Sequence, residues 1–212
     1  MTPEKKYTSI VKHYQDCFKT YGDSHKGMDW PKLDDVYKRY NVMLDLIRLK
    51  ESSSNKVSLL DFGCGTAMLN EYIKSEHIDN IIYSGLDISE GPVNIARSKF
   101  PENDFYCLDI LEEPGTLPDF DYVIMNGVFT EKINLTTEEM IEYFQKMMLA
   151  VFKKTNKGVA FNVMSKAVDW ERDDLFHLST DLLINFATKN LSRNFIIRND
   201  YGLYEYTVYI YK

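Results

Sequence analysis

Near the start of the chain, Ile10, Val11, Tyr14, Cys17 and Phe18 recur at helical spacing, which predicts a helix over 4–20. Residues 21–29 (YGDSHKGMD) carry two glycines and several cap-type residues and read as a loop. A second helix is expected over 31–49, opened by Pro31, with Val36, Tyr40, Met43, Leu44 and Ile47 on one face. The polar stretch 51–56 is a joint, and beyond it the period changes. Short apolar runs at 57–62, 81–87, 105–108, 121–125 and 158–163 predict strands, and 68–74, 91–100 and 137–153 predict helices between them. Apolar strands alternating with helices point to a parallel sheet covered on both faces. The end of the chain differs. Runs at 194–198 and 204–211, joined by the tight Asn199–Gly202, read as a hairpin, so one terminal strand should run antiparallel to the rest. The tyrosines of this ending (Tyr201, Tyr204, Tyr206, Tyr209, Tyr211) suggest a strand with one aromatic face, serving the core or a dimer contact.

Composition narrows the class. The 212 residues are 44% hydrophobic and 14% aromatic, enough for one full core, and no apolar run approaches the ~20 residues that cross a bilayer. The N-terminus lacks the apolar stretch of a signal peptide. Three widely spaced cysteines fit a reducing, cytoplasmic compartment better than a disulfide framework, and Cys64 and Cys107 read as buried small hydrophobes. A net charge of −7 opposes broad binding to phosphate backbones, so the expected partner is a small molecule, without nucleic acid or membrane, on a monomer or homodimer.

The chemistry concentrates in Leu59-Leu60-Asp61-Phe62-Gly63-Cys64-Gly65-Thr66-Ala67. An apolar strand ends at an acidic residue, and Gly-x-Gly then turns the chain into a helix, as happens where a ligand lies against bare backbone. Asp87 closes the next strand, 22 residues after Gly65, near the spacing at which a carboxylate meets ribose hydroxyls. The third glycine of a dinucleotide fingerprint is replaced by Met68, and no P-loop is present. A carboxylate at Asp61 would repel a pyrophosphate and suits a ligand carrying ammonium or sulfonium charge. Each residue also has a plainer reading: Asp61 as a helix cap, Asp87 and Asp109 as turn residues, Asn126-Gly127 as a turn.

With these motifs, and with GLDIS at 85–89, CLDI at 107–110 and DYVIMNG at 121–127, the chain resembles the class I S-adenosylmethionine-dependent methyltransferases over about 57–212. The resemblance implies a Rossmann-like α/β fold: a seven-stranded, mostly parallel sheet with an antiparallel terminal strand. It divides the chain into an N-terminal helical lid over 1–56 and a methyltransferase domain over 57–212. The cofactor would be S-adenosylmethionine. Asp61, Gly63 and Gly65, with Cys64 between the glycines, would surround its methionine part. Asp87 would bind the ribose, Ile88 and Ile110 would pack on the adenine, and Asp109 would accept from the adenine amino group. Asn126 would lie near the point of methyl transfer. GMDW at 27–30 and the ending YGLYEYTVYIYK look like small bacterial members found among surface-polysaccharide genes.

Methyl transfer chiefly needs donor and acceptor aligned, with a base only where the acceptor must lose a proton. MNGVF at 125–129 lacks the signature of nucleobase amino methylation, which favours a small acceptor: a sugar hydroxyl, a phosphate-type group or a carboxylate. In the lid, Tyr14, His25, Trp30 and Tyr40 are candidate acceptor contacts, and Arg39 is the candidate grip on an anion. Phe129 and Tyr201 should reach the same end of the sheet, and His177 is the expected base. Two other readings stand beside this one: a cofactor-fold protein that binds without chemistry, and a nicotinamide-dependent oxidoreductase.

Overall fold

The computed structural model describes residues 5–52, 54–113 and 115–212; residue 4 of the first expected helix and residue 53 of the polar joint lie outside them. In chain order the elements are α1 (Thr8–Tyr21), α2 (Leu33–Arg48), β1 (Val57–Phe62), α3 (Met68–Ser75), β2 (Ile81–Asp87), α4 (Glu90–Lys99), β3 (Asp104–Cys107), β4 (Phe120–Phe129), α5 (Thr137–Lys153), β5 (Thr155–Ser165), β6 (His177–Leu178), α6 (Thr180–Asn190), β7 (Phe195–Arg198) and β8 (Glu205–Tyr211).

The strands form one sheet in the order β3-β2-β1-β4-β5-β8-β7, with the two-residue β6 attached beside β5. β1, β2, β3, β4 and β5 pair in parallel, whereas β8 runs antiparallel to both β5 and β7. The expected mixed α/β sheet is therefore present, with β6 as an eighth strand. Between β1 and β4 the strand order reverses, and open α/β sheets bind ligands at the carboxyl ends of the strands beside such a switch.

Two apolar layers sandwich the sheet. On one face α5 and α6 insert Met140, Phe144, Met148, Leu183 and Phe186. On the other, α2, α3 and α4 insert Met43, Leu46, Leu69, Ile73 and Val93. A capping box starts α5, with Thr136 Oγ1 accepting from Glu139 N and the Glu139 carboxylate accepting from Thr136 N. The helix α6 was not expected, although Ser179 caps it by accepting from Leu182 N and its buried residues keep the helical spacing. Of the two N-terminal helices, α1 overlies the carboxyl ends of the strands, while α2 packs on the sheet as a full member of the core.

The terminal hairpin forms, but its tyrosines do not share a face. Tyr206 lies in the α5/α6 layer, and Tyr209 and Tyr211 lie in the α2 layer. Side chains alternate with a period of two, so positions 206 and 209, three apart, point oppositely. The Tyr209 and Tyr211 hydroxyls donate to the carbonyls of Val42 and Leu46 and tie β8 to α2. Cys64 is buried as expected, whereas Cys107, at the end of the edge strand β3, is exposed.

Candidate functional site

A cleft opens at the carboxyl ends of β1, β2 and β4. Asp61, Gly63, Cys64 and Gly65 from the first loop line it, with Asp87 and Ile88 after β2, Asp109 and Ile110 after β3, and Asn126 from β4. Residues scattered over 66 positions of chain meet there because each ends a parallel strand. Trp30 and Tyr40 line the same cleft, as does Tyr14 on α1.

Asp61 is only 4% exposed, and its Oδ2 accepts from the Tyr83 hydroxyl at 2.7 Å. Burial pushes its carboxyl up to about 7, against the opposing Tyr83 hydrogen bond and with the charge of Asp87 adding to the rise. Asp87 is a strut: Oδ2 accepts from Gly65 N at 3.0 Å and Oδ1 from Ser89 N at 2.8 Å, joining the glycine loop to the start of α4. Burial raises its pKa too, and the backbone donors oppose the rise. Gly65 has φ +52°, and a Cβ there would come within 2.2 Å of Met28 Sδ. The bare backbone therefore lets the loop before α2 approach the cleft.

The Asn126–Val128 stretch is neither the turn nor the strand end that the sequence suggests. β4 continues to Phe129 with a register shift against β5 after Met125. Such an irregularity re-aims side chains locally. Asn126 Oδ1 is left buried without a hydrogen-bond partner among the described residues. Gly127 takes φ +83°, and a Cβ there would lie 2.6 Å from the Trp30 ring. Gly127→Ala is expected to cost at least the roughly 1–2 kcal/mol of a left-handed alanine and to displace Trp30, which a fall in Tm with a red-shifted tryptophan emission would show.

The remaining expectations need correction. Arg39 does not line the cleft: its Nε donates to Glu205 Oε1 at 2.9 Å and Oε2 at 3.0 Å, and its guanidinium stacks on Trp30 at 4.3 Å. Glu205 Oε1 also accepts from Asn162 Nδ2 at 3.1 Å, and Asn162 Oδ1 accepts from Gly127 N at 2.8 Å. The chain Trp30–Arg39–Glu205–Asn162–Gly127 braces the wall of the cleft from behind. Tyr201 joins this network by donating to Glu205 Oε1 at 3.5 Å, and its hydroxyl pairs with that of Thr207 at 2.9 Å, rather than reaching the cleft. Phe129 is wholly buried against Phe144 and Phe161. His177 lies in a separate cavity with Trp170, Arg172 and Tyr204; its Nε2 accepts from Arg172 N at 3.3 Å and Nδ1 lies 2.6 Å from the Ser165 carbonyl. With both ring nitrogens engaged by backbone and the ring outside the cleft, it is not placed to act as a base there. His25 Nδ1 lies 2.6 Å from the Trp30 carbonyl and holds the loop.

Sequence reading missed Tyr7, Met28 and Tyr143 in the cleft wall. Tyr7 donates to Asp109 Oδ2 at 2.5 Å, and Lys5 Nζ reaches the same oxygen at 3.2 Å, so the N-terminal segment is fastened to the acid after β3. Tyr7, Ile10, Val11 and Tyr14 share one helical stripe; the spacing was legible, but not the cleft that the stripe covers.

A mostly parallel Rossmann-like sheet with an antiparallel last strand and a cleft at its switch point defines the methyltransferase architecture. Comparison with known proteins agrees. Residues 60–151 match a family described as "Methyltransferase domain". A putative methyltransferase of Mycobacterium tuberculosis is 24% identical over 166 residues, 76% of this chain and 96% of its own. The malonyl-[acyl-carrier protein] O-methyltransferase of Acetivibrio thermocellus is 36% identical over 94 residues, 43% of this chain and 32% of its own. In fold, the magnesium protoporphyrin IX methyltransferase of Synechocystis PCC 6803 superposes with a TM-score of 0.66 at 15% identity, covering 97% of this chain and 99% of that one. Residues 60–151 thus carry a methyltransferase domain, and the chain as a whole has the fold of the S-adenosylmethionine-dependent methyltransferases.

The cleft fits that cofactor. Its wall holds two buried acceptors short of donors, Asp61 and Asn126 Oδ1, and among the described residues no lysine, arginine or histidine faces them. A ligand bringing its own positive charge and N–H donors complements both. Among the described residues, no helix is long and apolar enough to cross a membrane.

Proposed function

We propose that the protein methylates an oxygen of a small molecule, and that a sugar-type hydroxyl is the acceptor the cleft suits best among a hydroxyl, a phosphate-type group and a carboxylate. One observation carries this reading: the cleft wall has acidic, apolar and tyrosyl side chains but, among the described residues, no cationic one. Holding an anion there would need a positive partner, and Arg39, the candidate for that task, is committed to Glu205. When bound, S-adenosylmethionine supplies a methyl group on a positively charged sulfur. In this reading Asp61 and Asn126 hold the amino-acid end, Asp87 takes the ribose, and Ile88, Asp109 and Ile110 hold the adenine. Gly63, Cys64 and Gly65 give the close backbone wall. Trp30, Tyr14 and Tyr40 close the acceptor side and exclude water, and the segment before β1 acts as a lid through α1. Three free thiols and the acidic charge support a cytoplasmic monomer or homodimer that does not bind nucleic acid.

A second reading, methyl-ester formation on a carboxylate, is favoured by the match to the malonyl-[acyl-carrier protein] O-methyltransferase. Transfer of labelled methyl to a panel of nucleotide sugars, free sugars and carboxylic acids separates the two. Product stable to mild alkali marks an ether and supports the hydroxyl; label released as methanol marks an ester and overturns it. Cofactor binding with no product from any acceptor would favour a binding protein without chemistry.

The Asp61 carboxyl makes cofactor affinity depend on pH. Its pKa near 7 in the free protein must fall once an ammonium group lies beside it. The ionised form is the one that binds, so affinity rises with pH through 7 and a proton is released on binding. Between pH 8 and pH 6 the affinity should drop by about tenfold, and Asp61→Asn should flatten the profile. Calorimetry in buffers of different ionisation enthalpy measures the proton release; uptake of a proton would sink the assignment.

A further inference from the structure

Beside the cleft, α1 and the loop before α2 bring together a histidine, a cysteine and an aspartate that the methyl-transfer reading does not use. His13 and Cys17 stand four residues apart on α1 and so share one face of the helix. Residues 22–30 carry Asp29 against that face, from a left-handed backbone conformation (φ 60°) unusual outside glycine. His13 Nε2 lies 2.7 Å from Asp29 Oδ2 and 3.8 Å from Cys17 Sγ, and the three ligand atoms all fall within 4.8 Å of one another. Zinc bonds of about 2.0–2.3 Å in a tetrahedron place ligand atoms roughly 3.3–3.8 Å apart, so sub-ångström side-chain adjustments would bring all three onto one ion. All three residues are half-buried, which leaves an ion a path in.

We propose that His13, Cys17 and Asp29 form a binding site for a zinc-class transition-metal ion, with water completing the tetrahedron. The donor set makes the class specific: an imidazole nitrogen, a carboxylate oxygen and a thiolate sulfur suit zinc and disfavour magnesium or calcium. Binding replaces the thiol proton of Cys17 and the His13–Asp29 hydrogen bond with metal–ligand bonds, and releases the thiol proton. The ion would staple α1 to the loop that carries Met28 and Trp30, reinforcing two parts of the cleft wall that now meet across the His13–Asp29 hydrogen bond. The site is independent of the acceptor chemistry and of the methyl-transfer reading.

The test uses the tag-free, full-length chain. Zn²⁺ is titrated against a chromophoric chelator, and Co²⁺ is added in parallel to read thiolate-to-metal charge transfer by absorption. One tight equivalent per chain is expected, with a Co²⁺–thiolate band. Cys17→Ser should abolish the band, and Cys17→Ser and His13→Gln should each weaken zinc by at least the roughly 10–100-fold that loss of an outer-shell partner already costs. Cys107→Ser, at an exposed thiol elsewhere, should change neither readout. Circular dichroism verifies that each variant is folded. A wild-type chain that takes up no zinc, or whose equivalent survives Cys17→Ser or disappears in Cys107→Ser, overturns the proposal.

Discussion

Arg39→Ala is expected to cost about 3–5 kcal/mol of folding stability, the range found when one partner of a buried ion pair is removed. The Glu205 side chain is 1% exposed and that of Arg39 13%, so a carboxylate left behind would have little access to water. Its remaining contacts are neutral, an amide hydrogen from Asn162 and the more distant Tyr201 hydroxyl at 3.5 Å. The loss also strips the guanidinium from the face of Trp30 and so loosens the cleft wall. Denaturant unfolding of Arg39→Ala, Glu205→Gln and the double variant measures the coupling. The double variant should recover part of the loss, because the orphaned charge is gone. A single variant within about 1 kcal/mol of the parent, combined with a raised KM for the acceptor, would return Arg39 to the role of an anion grip.

Asp87→Ala should weaken S-adenosylmethionine by roughly 100-fold, about 3 kcal/mol, the upper range for a hydrogen bond to a charged group. Two effects combine. The carboxylate proposed to meet the ribose is gone, and the strut from Gly65 N to Ser89 N disappears with it, so the glycine loop is no longer held for the ligand. Asp87→Asn separates the two, since its amide keeps one acceptor for the loop and should fall between parent and alanine. Titration calorimetry on the three proteins reads the difference. Equal affinity in all three would remove Asp87 from the cofactor site, and a collapse of the far-ultraviolet spectrum would show the strut to be structural.

Much of the framework was readable one segment at a time. The strands carry near-continuous apolar runs because both faces of the sheet are covered, and the helices between them carry one stripe. The loop at 61–65 and the acid at Asp87 stood out because a turn that meets a ligand restricts which residues can occupy it. α6 went unread although Ser179 caps it, because its buried stripe is only Leu183, Phe186 and Ala187 among interspersed polar positions. β6 is two residues long, and its pairing with Met164 and Ser165 depends on where β5 ends.

From sequence alone come the alternation of strand and helix, the antiparallel ending, and the acids and glycines that close the parallel strands. These follow from local rules: backbone propensity, side-chain period and the short reach of a turn. Only the tertiary structure decided which polar side chains face the cleft. Arg39 is claimed by a carboxylate 166 residues away, and Tyr201 is drawn into the same network. His177 is held by backbone in a different cavity, while Asp29 meets His13 across a loop. A buried charge takes the nearest partner that offsets its lost hydration, and that partner is chosen by packing between distant segments rather than by spacing along the chain.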